Sequence, residues 1–302
     1  MNIDFSGKVA IVTGAGGGLG RQHALALAAR GAKVVVNDFA RAVAGADGVE
    51  RSAADQVVGE IRAAGGEAIA NGASVTDAVA VAAMVGDTLA RWGRIDILVN
   101  NAGILRDKSF GKMEIDDFRL VVDVHLIGAA ICSKAVWATM REQKYGRIVM
   151  TTSSSGLYGN FGQANYGAAK MGLVGLMQTL AIEGARDGIH VNCLAPTAAT
   201  RMTEGLLPAE VLAVLTPESV SPAVVFLACE AAPTRTILCA GGGSYECAHV
   251  TLTKGIHIGN PPDAAEQLVA RFAEIADRQD ETVPQVGSAQ GTAEISKALQ
   301  RR

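Results

Sequence analysis

The chain of 302 residues is 49% hydrophobic and 19% charged, which allows one large α/β domain with an appendage or two small domains. Its formal net charge of -3 supplies no basic stripe of the kind that binds nucleic acid, so no nucleic-acid partner is expected. No apolar run reaches the length of a membrane-spanning helix. The sequence therefore predicts a cytoplasmic protein without membrane insertion.

The cysteine spacing argues against both a disulfide framework and a zinc site. The cysteines form no CxxC pair and stand singly in apolar stretches, at 132, 193, 229, 239 and 247. We therefore expect buried thiols in a reducing compartment. Four histidines, at 23, 190, 249 and 257, have no metal-ligand spacing, and no metal site is predicted.

The amino-terminal segment predicts a βαβ unit. Residues 8–13 (KVAIVT) form a short β-branched run that ends at Gly14, as is typical of a buried parallel strand. The residues after the glycine-rich turn have helical periodicity and stop at Gly31. Residues 33–38 (KVVVND) then predict a second strand, which completes the unit.

The same alternation continues along the chain. Helices are predicted at 49–64, 76–92, 115–145 (one long helix or a helix pair), 163–186 and 217–230, and strands at 67–71, 94–100, 147–152, 189–194 and 236–240. This pattern predicts an α/β fold, a Rossmann-type doubly wound parallel sheet of about seven strands with helices on both faces. We assign residues 1–258 to this domain. Residues 259–302 are predicted to be a C-terminal helical appendage rather than an independent domain, with an amphipathic helix at 261–280 and a polar stretch at 281–290.

A glycine-rich turn joins the first strand to the first helix. Residues 13–20 (TGAGGGLG) place Gly14 where the chain turns, and Gly18 and Gly20 where backbone and helix can approach a pyrophosphate. Asp38 ends the second strand, where a carboxylate accepts hydrogen bonds from both adenine-ribose hydroxyls and repels a 2′-phosphate. The sequence therefore predicts a dinucleotide site that prefers NAD to NADP; an ordinary strand-end carboxylate is the alternative for Asp38.

Residues 153–170 (SSSGLYGNFGQANYGAAK) predict acid/base chemistry. Tyr166 and Lys170 are four apart in a segment that favours helix, so both side chains project from one face. An ammonium near a phenol stabilises the phenolate and lowers the pKa of the tyrosine. Ser153 follows the strand at 147–152 and can hydrogen-bond the oxygen that Tyr166 protonates or deprotonates. Although YxxxK alone is more often a surface pair, the three groups together predict catalysis on an alcohol or a carbonyl.

Four motifs occur in order along the chain: TGxxxGxG at 13–20, NNAG at 100–103, a serine at 153, and YxxxK at 166–170. With these motifs, residues 5–243 resemble the short-chain dehydrogenase/reductase family. Within that family, NNAGILRD (100–107), YGNFGQANYGAAK (158–170) and LAIEG (180–184) are similar to members that oxidise 3-hydroxyacyl-CoA and to bacterial single-domain relatives that act on steroid side chains.

The resemblance implies a role for each matching residue. Tyr166 would be the catalytic acid/base, Lys170 would lower its pKa and hold the nicotinamide ribose, and Ser153 would orient the substrate oxygen. The residues implied to line the NAD site, besides Tyr166 and Lys170, are Gly14, Gly18, Leu19, Gly20, Asp38, Ser74, Val75, Asn101, Ala102, Gly103, Pro196, Ala199 and Thr200.

The chain departs from the family pattern at two positions and carries one insert. His125 stands where most members have an asparagine that completes a proton relay through water to the lysine. Because that relay uses the backbone carbonyl, we interpret His125 as a structural substitute, with a catalytic role as the alternative.

Thr197 replaces the usual glycine, so the loop over the nicotinamide is expected to differ. The polar insert at 40–52 is either a flexible loop or a frame for the nucleotide of an acyl-CoA.

We therefore expect an NAD-dependent oxidoreductase that oxidises a bulky or steroid-derived 3-hydroxyacyl-CoA to the 3-oxoacyl-CoA. Two alternatives stay open. A 17β-hydroxysteroid dehydrogenase acting on a free ring alcohol would share the catalytic residues and differ in the cleft formed by residues 203–216 and the appendage. A noncatalytic dinucleotide-binding protein would have no need of the three catalytic groups.

The expected partners are a small-molecule substrate and a second copy of the chain. Family members usually assemble through the helices that contain residues 115–140 and 164–184, so the resemblance implies a homodimer or homotetramer. The tail at 261–302 has no counterpart in a minimal member. Three roles stay open for this tail: closing the cleft, contacting a neighbouring subunit, or remaining mobile.

Overall fold

The structure is a computed structural model that describes residues 2–39, 43–44, 50–199 and 208–300. Within these ranges the strands are β1 Val9–Thr13, β2 Lys33–Asn37, β3 Val43–Ala44, β4 Glu50–Arg51, β5 Ala68–Asn71, β6 Ile97–Asn100, β7 Gly146–Thr151, β8 Ile189–Thr197, β9 Ile237–Gly241 and β10 Ser244–Ala248. Eight strands form one sheet in the order β10-β9-β8-β7-β6-β1-β2-β5, and β3 pairs with β4 in a small antiparallel sheet. Neighbours from β9 across to β5 pair in parallel, which confirms the predicted Rossmann-type sheet.

Helices connect these strands and continue beyond them. The described α-helices are α1 Gly18–Ala28, α2 Ala53–Ala63, α3 Ala78–Trp92, α4 Ile115–Val122, α5 Gly128–Gln143, α6 Ser154–Tyr158, α7 Ala164–Gly184, α8 Ala209–Val214, α9 Ser221–Ala228, α10 Ala264–Ala270, α11 Phe272–Ile275 and α12 Ser288–Leu299. A π-helical turn, Asp123–Ile127, joins α4 to α5, and short 3-10 helices lie at Phe110–Lys112, Ala185–Asp187 and Pro217–Ser219. The predicted helix at 115–145 is thus a pair joined by a π turn.

Both faces of the sheet are covered, as the apolar strands predict. Val34 and Val36 of β2 lie in one core cluster with residues of α1, α2 and α9. Val35, whose side chain points to the other face, is also fully buried. The helices α3, α4, α5 and α7 pack among themselves. Burial on both sides explains why the strands are runs of β-branched residues rather than alternating patterns.

The eighth strand of the sheet was not predicted. β10 (SYECA) is exposed along nearly its whole length, so it lacks the apolar run that marks a buried strand. Gly242 and Gly243, with φ of +57° and +80°, join β9 to β10 in a two-residue turn of the kind that forms hairpins.

This hairpin also corrects the expectation of buried thiols. Cys132, Cys193 and Cys229 are buried, Cys239 is half-buried and Cys247 is exposed. The prediction is wrong for Cys247 because that residue lies on the edge strand β10. All five thiols are free.

By length and composition alone, the helical stretch Ile115–Gln143 could cross a membrane. Its residues Cys132, Val136 and Met140 are buried, and α5 packs against α3 and α7. A core helix of a soluble protein passes the same test. We therefore assign this stretch to the helical layer on the sheet.

The chain divides into two compact units, Met1–Cys247 and Ala248–Arg302. The boundary predicted between residues 258 and 259 lies within the second unit. In that unit, Leu252 and Thr282 exchange two backbone hydrogen bonds at 2.9 Å. The predicted helix at 261–280 is instead the two short helices α10 and α11, and α12 was not predicted. Every described residue from 248 to 300 keeps some exposure, so the unit has no core of its own.

His23 on α1 makes stability depend on pH. Its ring is fully buried, Nδ1 lies 2.9 Å from the Ser221 hydroxyl on α9, and burial lowers the pKa of His23 from 6.5 to about 3. Below the ordinary pKa the unfolded chain binds a proton that the folded chain excludes, so stability falls as the pH drops from 6.5 towards 3. His23→Gln is expected to reduce this loss by about 1.4 kcal/mol per pH unit, measured by urea unfolding at several pH values. An unchanged pH slope in the variant would contradict the assignment.

Candidate active site

The predicted site residues come from segments that meet at one edge of the sheet. Thr13, Asn100 and Thr151 end β1, β6 and β7, which are neighbours in the sheet. Because these strands are parallel, their carboxyl ends lie at the same edge, where sites in open α/β sheets form. The glycine-rich turn, the NNAG segment and the serine segment each follow one of these strands.

Glycines let two loops approach closely at this edge. Gly14 has φ of +61°, and a Cβ there would lie 2.7 Å from the Cα of Ala102. A Cβ on Gly20 would collide with the carbonyl oxygen of Gly14. The Asn101 amide donates to the carbonyl oxygens of Thr13 and Gly14 at 3.0 and 3.1 Å, which fixes the loop after β6 to the loop after β1.

The amino end of α1 fits an anion. The helix begins at Gly18, whose φ is +50°. Among the described residues no side chain caps this end, and its first turn contains no acidic residue. The first N–H groups of a helix have no partners within it and carry the positive end of its dipole. The turn containing Gly18, Leu19 and Gly20 is therefore suited to the pyrophosphate of a dinucleotide.

Asp38 lies against the glycine-rich turn. Its carboxylate accepts a hydrogen bond from the Gly16 N–H at 2.8 Å, and a Cβ on Gly16 would lie 2.7 Å from the same oxygen. Gly16 therefore allows the carboxylate to close on the turn. This places a fixed negative charge beside the pyrophosphate cradle, where the adenine ribose of a dinucleotide is expected.

A buried asparagine holds the segment that contains Ser74 and Val75. The Asn37 amide donates to the Asn71 side chain and to the Ala73 carbonyl, both at 2.9 Å. Val75 is buried, and the Ser74 hydroxyl lies 2.9 Å from that of Thr76. The loop after β5 is thereby fixed beside Asp38, at the predicted end of the dinucleotide site.

Ser153 is both a helix cap and a site residue. It follows β7 and caps α6, accepting a hydrogen bond from the Ser155 N–H at 3.2 Å. The side chain is buried, and its hydrogen bond to Tyr166 acts to lower the pKa of that phenol. This contact places the serine beside the tyrosine, and the roles of both side chains stay predictions.

Lys170 is buried one helical turn from Tyr166 on α7. Its Nζ donates to the Thr151 carbonyl at 2.5 Å and lies 5.4 Å from the centre of the Tyr166 ring. Burial lowers the pKa of Lys170 to about 7. The ammonium is therefore held at the carboxyl end of β7, and its charge is sensitive to pH near neutrality.

The expected lowering of the Tyr166 pKa is wrong for this structure. Burial raises the pKa of Tyr166, the hydrogen bond from Ser153 offsets only part of that effect, and the charge of Asp107 raises it further. Lys170 does not lower it, because its own charge is disfavoured by burial and is directed at Thr151. Tyr166 thus favours its protonated form, which suits a general acid at neutral pH.

His125 packs between the NNAG segment and Tyr166. It lies in the π-helical turn, and its Nε2 is 2.8 Å from the carbonyl oxygen and 3.0 Å from the nitrogen of Ile104. The ring meets that of Tyr166 edge to face at 5.2 Å, and it occupies the space that a Cβ on Gly103 would need. Burial lowers the pKa of His125 to about 3, so the ring is neutral. These contacts support the interpretation of His125 as a structural substitute.

Some predicted residues fall outside the described ranges. Thr200 is one of them, as are residues 203–207 of the proposed substrate cleft and residues 40–42 and 45–49 of the polar insert. Pro196 lies on β8 opposite Ala240, and the Ala199 N–H donates to the Leu215 carbonyl. These two positions remain predictions for the nicotinamide loop.

The sequence reasoning missed Thr13 and Asn165. The Thr13 hydroxyl accepts hydrogen bonds from the N–H groups of Asn101 and Ala102 at 3.0 and 3.1 Å. Asn165 is fully buried, donates to the Arg106 carbonyl at 3.0 Å and accepts from the Tyr166 N–H at 2.7 Å. Its position beside Tyr166 was the available signal for Asn165, but its partner Arg106 is distant in sequence.

Comparison with known proteins shows similarity over most of the chain. A family model described as short chain dehydrogenase matches residues 8–210. A protein of Mycobacterium tuberculosis, Rv0148, which carries the name of a short-chain type dehydrogenase/reductase, is 49% identical over 271 residues, covering 89% of this chain and 94% of that protein. Peroxisomal multifunctional enzyme type 2 of Drosophila melanogaster is 53% identical over 243 residues, covering 80% of this chain and 39% of that enzyme.

Solved structures extend the comparison. The full-length Drosophila enzyme matches 99% of this chain, which spans 50% of that chain, with a TM-score of 0.82 and 39% identity. A 7α-hydroxysteroid dehydrogenase, solved with NADH and 7-oxo glycochenodeoxycholic acid, matches 80% of this chain and 98% of its own, with a TM-score of 0.71 and 30% identity. With its sheet, its glycine-rich turn and its serine, tyrosine and lysine, the chain belongs to the short-chain dehydrogenase family.

Proposed function

We propose that the chain is an NAD-dependent dehydrogenase that oxidises a 3-hydroxyacyl-CoA to the 3-oxoacyl-CoA. The observation that carries this proposal is the extent of structural similarity. The match to the multifunctional enzyme continues over 99% of the chain, whereas the match to the hydroxysteroid dehydrogenase covers 80%. The greater extent of the match favours the multifunctional enzyme over the hydroxysteroid dehydrogenase as a guide to function.

The site residues divide the chemistry among them. As the phenolate, Tyr166 takes the proton of the substrate hydroxyl during oxidation, and as the phenol it gives a proton to the substrate oxygen during reduction. Ser153, held by its cap geometry, donates to the substrate oxygen and orients it. Lys170, whose Nζ lies 5.4 Å from the centre of the Tyr166 ring, would hold the nicotinamide ribose. NAD, when bound, accepts hydride from the carbinol carbon.

The residues around the glycine-rich turn would hold NAD. The uncapped amino end of α1 suits the pyrophosphate, and Asp38 suits the ribose hydroxyls. Ser74, Val75 and the NNAG backbone would line the remaining cleft. The close approaches at Gly14 and Gly16 leave no room for larger side chains in this cradle.

Asp38 is expected to set the cofactor preference. Asp38→Ala removes a carboxylate that would oppose a 2′-phosphate, and like charges brought together cost several kcal/mol. The ratio of kcat/KM for NAD over NADP is therefore expected to fall by about a hundredfold. Asp187→Ala, a carboxylate at the opposite edge of the sheet, is the control and should leave the ratio unchanged. Equal ratios for both variants would refute the role of Asp38.

A hydroxysteroid dehydrogenase is the second candidate, favoured by the match to the 7α-hydroxysteroid enzyme. One assay separates the two. NADH formation is measured with (3R)-hydroxyacyl-CoA, (3S)-hydroxyacyl-CoA and a 17β-hydroxysteroid, with NADP in place of NAD as a control. A preference for one CoA ester supports the proposal and gives its stereochemistry. Turnover of the free steroid alone would replace it with the second candidate.

A further inference from the structure

Exposed aromatic side chains collect on two segments beside Tyr166. Phe110, Tyr158 and Phe161 are 72%, 73% and 90% exposed, although only 4% of the chain is aromatic. Single exposed apolar residues are ordinary, but several exposed aromatic side chains on adjoining segments are typical of a binding surface. We call these three side chains the aromatic rim.

Three hydrogen bonds hold the two segments of the rim together. The Lys108 N–H donates to the Gly162 carbonyl at 2.9 Å, and the Gln163 amide donates to the Asp107 carboxylate at 2.7 Å. The Asn165 amide donates to the Arg106 carbonyl at 3.0 Å. Residues 106–108 are thus bonded in series to residues 162–165, so Phe110 and Phe161 extend from adjoining segments.

The rim continues directly into the catalytic site. Asn165 accepts a hydrogen bond from the Tyr166 N–H at 2.7 Å, and Ile104 contacts the His125 ring that packs on Tyr166. The segments that carry the rim are therefore joined to the residues around Tyr166. This continuity favours substrate over a partner protein as the occupant.

The same segment carries positive charge. Arg106 and Lys108 both lie near the Asp117 carboxylate, at 3.7 and 3.6 Å, and both side chains are about half exposed. Asp107 lies between them and bonds Gln163, so two cations and two carboxylates gather here, and the half-exposed Arg106 and Lys108 side chains can turn towards an anion. The rim therefore offers apolar area and a cation together, which matches an apolar chain attached to an anionic carrier.

We propose that the aromatic rim binds the apolar acyl chain of the substrate while Arg106 and Lys108 attract its anionic CoA portion. This inference rests on the proposed function and names the part of the chain that selects acyl length. Aromatic side chains give up exposed area when an acyl chain lies on them, and each added methylene that is buried strengthens binding. Longer acyl chains are then the better substrates.

The test compares substrates of two lengths. NADH formation is measured with 3-hydroxybutyryl-CoA and 3-hydroxytetradecanoyl-CoA for wild type and for the double variant Phe110→Ser with Phe161→Ser. The ratio of kcat/KM for the long over the short substrate is expected to fall about tenfold or more in the variant. Phe272→Ser, which removes a 67% exposed phenylalanine from the second unit, is the control and should keep the wild-type ratio.

A second pair of changes tests the charge. Arg106→Gln with Lys108→Gln is expected to raise KM for both CoA esters and to weaken its dependence on salt. Arg30→Gln, just after the carboxyl end of α1, is the control and should change neither KM nor its dependence on salt. If the wild-type protein turns over neither ester, the proposed function fails. If it turns over both, and the ratio of kcat/KM for the long over the short ester is unchanged in Phe110→Ser with Phe161→Ser, only the rim assignment is overturned. A change in light-scattering mass with an unchanged length ratio would assign the rim to contact between copies.

Discussion

Replacing Tyr166 by Phe is expected to lower kcat for alcohol oxidation by about 10²- to 10⁴-fold, the usual contribution of a positioned acid/base. The change removes only the hydroxyl, which meets Ser153 in the structure, and leaves the ring packed against His125. Folding and NAD affinity should therefore be retained. The measurement is steady-state kcat together with a fluorescence titration of NAD.

Tyr145→Phe is the matched control for this prediction. Tyr145 lies just before β7, at the opposite edge of the sheet, where Lys8 and Arg147 stack on its ring. Its variant should keep wild-type kcat. Turnover that survives in Tyr166→Phe would exclude this tyrosine as the acid/base. Equal losses in both variants would point to a general structural defect.

The same site predicts how oxidation depends on pH. Burial raises the pKa of Tyr166, so the phenolate that accepts the substrate proton forms more readily as the solution becomes alkaline. Oxidation should therefore speed up with rising pH, and reduction should be favoured near neutrality. The Tyr166→Phe variant should lose this dependence.

Replacing Arg147 by Met is expected to destabilise the fold by about 3–5 kcal/mol, the cost typical of breaking a buried charged network. The Arg147 guanidinium is buried and donates to four carbonyl oxygens, those of Gly146, Gly188, Cys229 and Glu230, at 2.8 to 3.1 Å. It thus joins the start of β7 to the residues that follow α9. Methionine fills similar space but leaves these carbonyls without their donors.

The control for this change is Arg141→Met. Arg141 pairs with Asp187 at the surface, and an exposed pair contributes about 0–1 kcal/mol. Urea unfolding should show that Arg147→Met loses several kcal/mol more free energy of unfolding than Arg141→Met does. Equal losses of unfolding free energy in the two variants would mean that water replaces the Arg147 guanidinium at the four carbonyl oxygens.

Much of the fold was predictable because its signals are local. The β-branched runs of β1, β2 and β6 are buried on both faces, so hydrophobicity alone identifies them. The glycine-rich turn needs positive φ at Gly14 and close approach at Gly20, which only glycine supplies. β10 escaped prediction because an exposed edge strand has no apolar pattern to detect.

The candidate site was predictable as a set of residues but not as an electrostatic arrangement. Helical spacing put Tyr166 and Lys170 on one face of α7, and a strand end delivered Ser153. Burial, which the sequence does not reveal, then raises the pKa of the phenol and lowers that of the amine. The packing of His125 on Ile104 and Tyr166 also depends on a π turn that no spacing rule indicates.

The sequence by itself determined the doubly wound sheet, the glycine-rich turn and the selection of Ser153, Tyr166 and Lys170 as candidates, because each depends on residues close together in the chain. Only the tertiary structure decided which segments adjoin Tyr166. Residues 106–108 and 162–165 meet through hydrogen bonds between backbone and side-chain groups more than fifty positions apart. Desolvation and long-range pairing are properties of the packed chain, and they set both the protonation of the site and the rim that surrounds it.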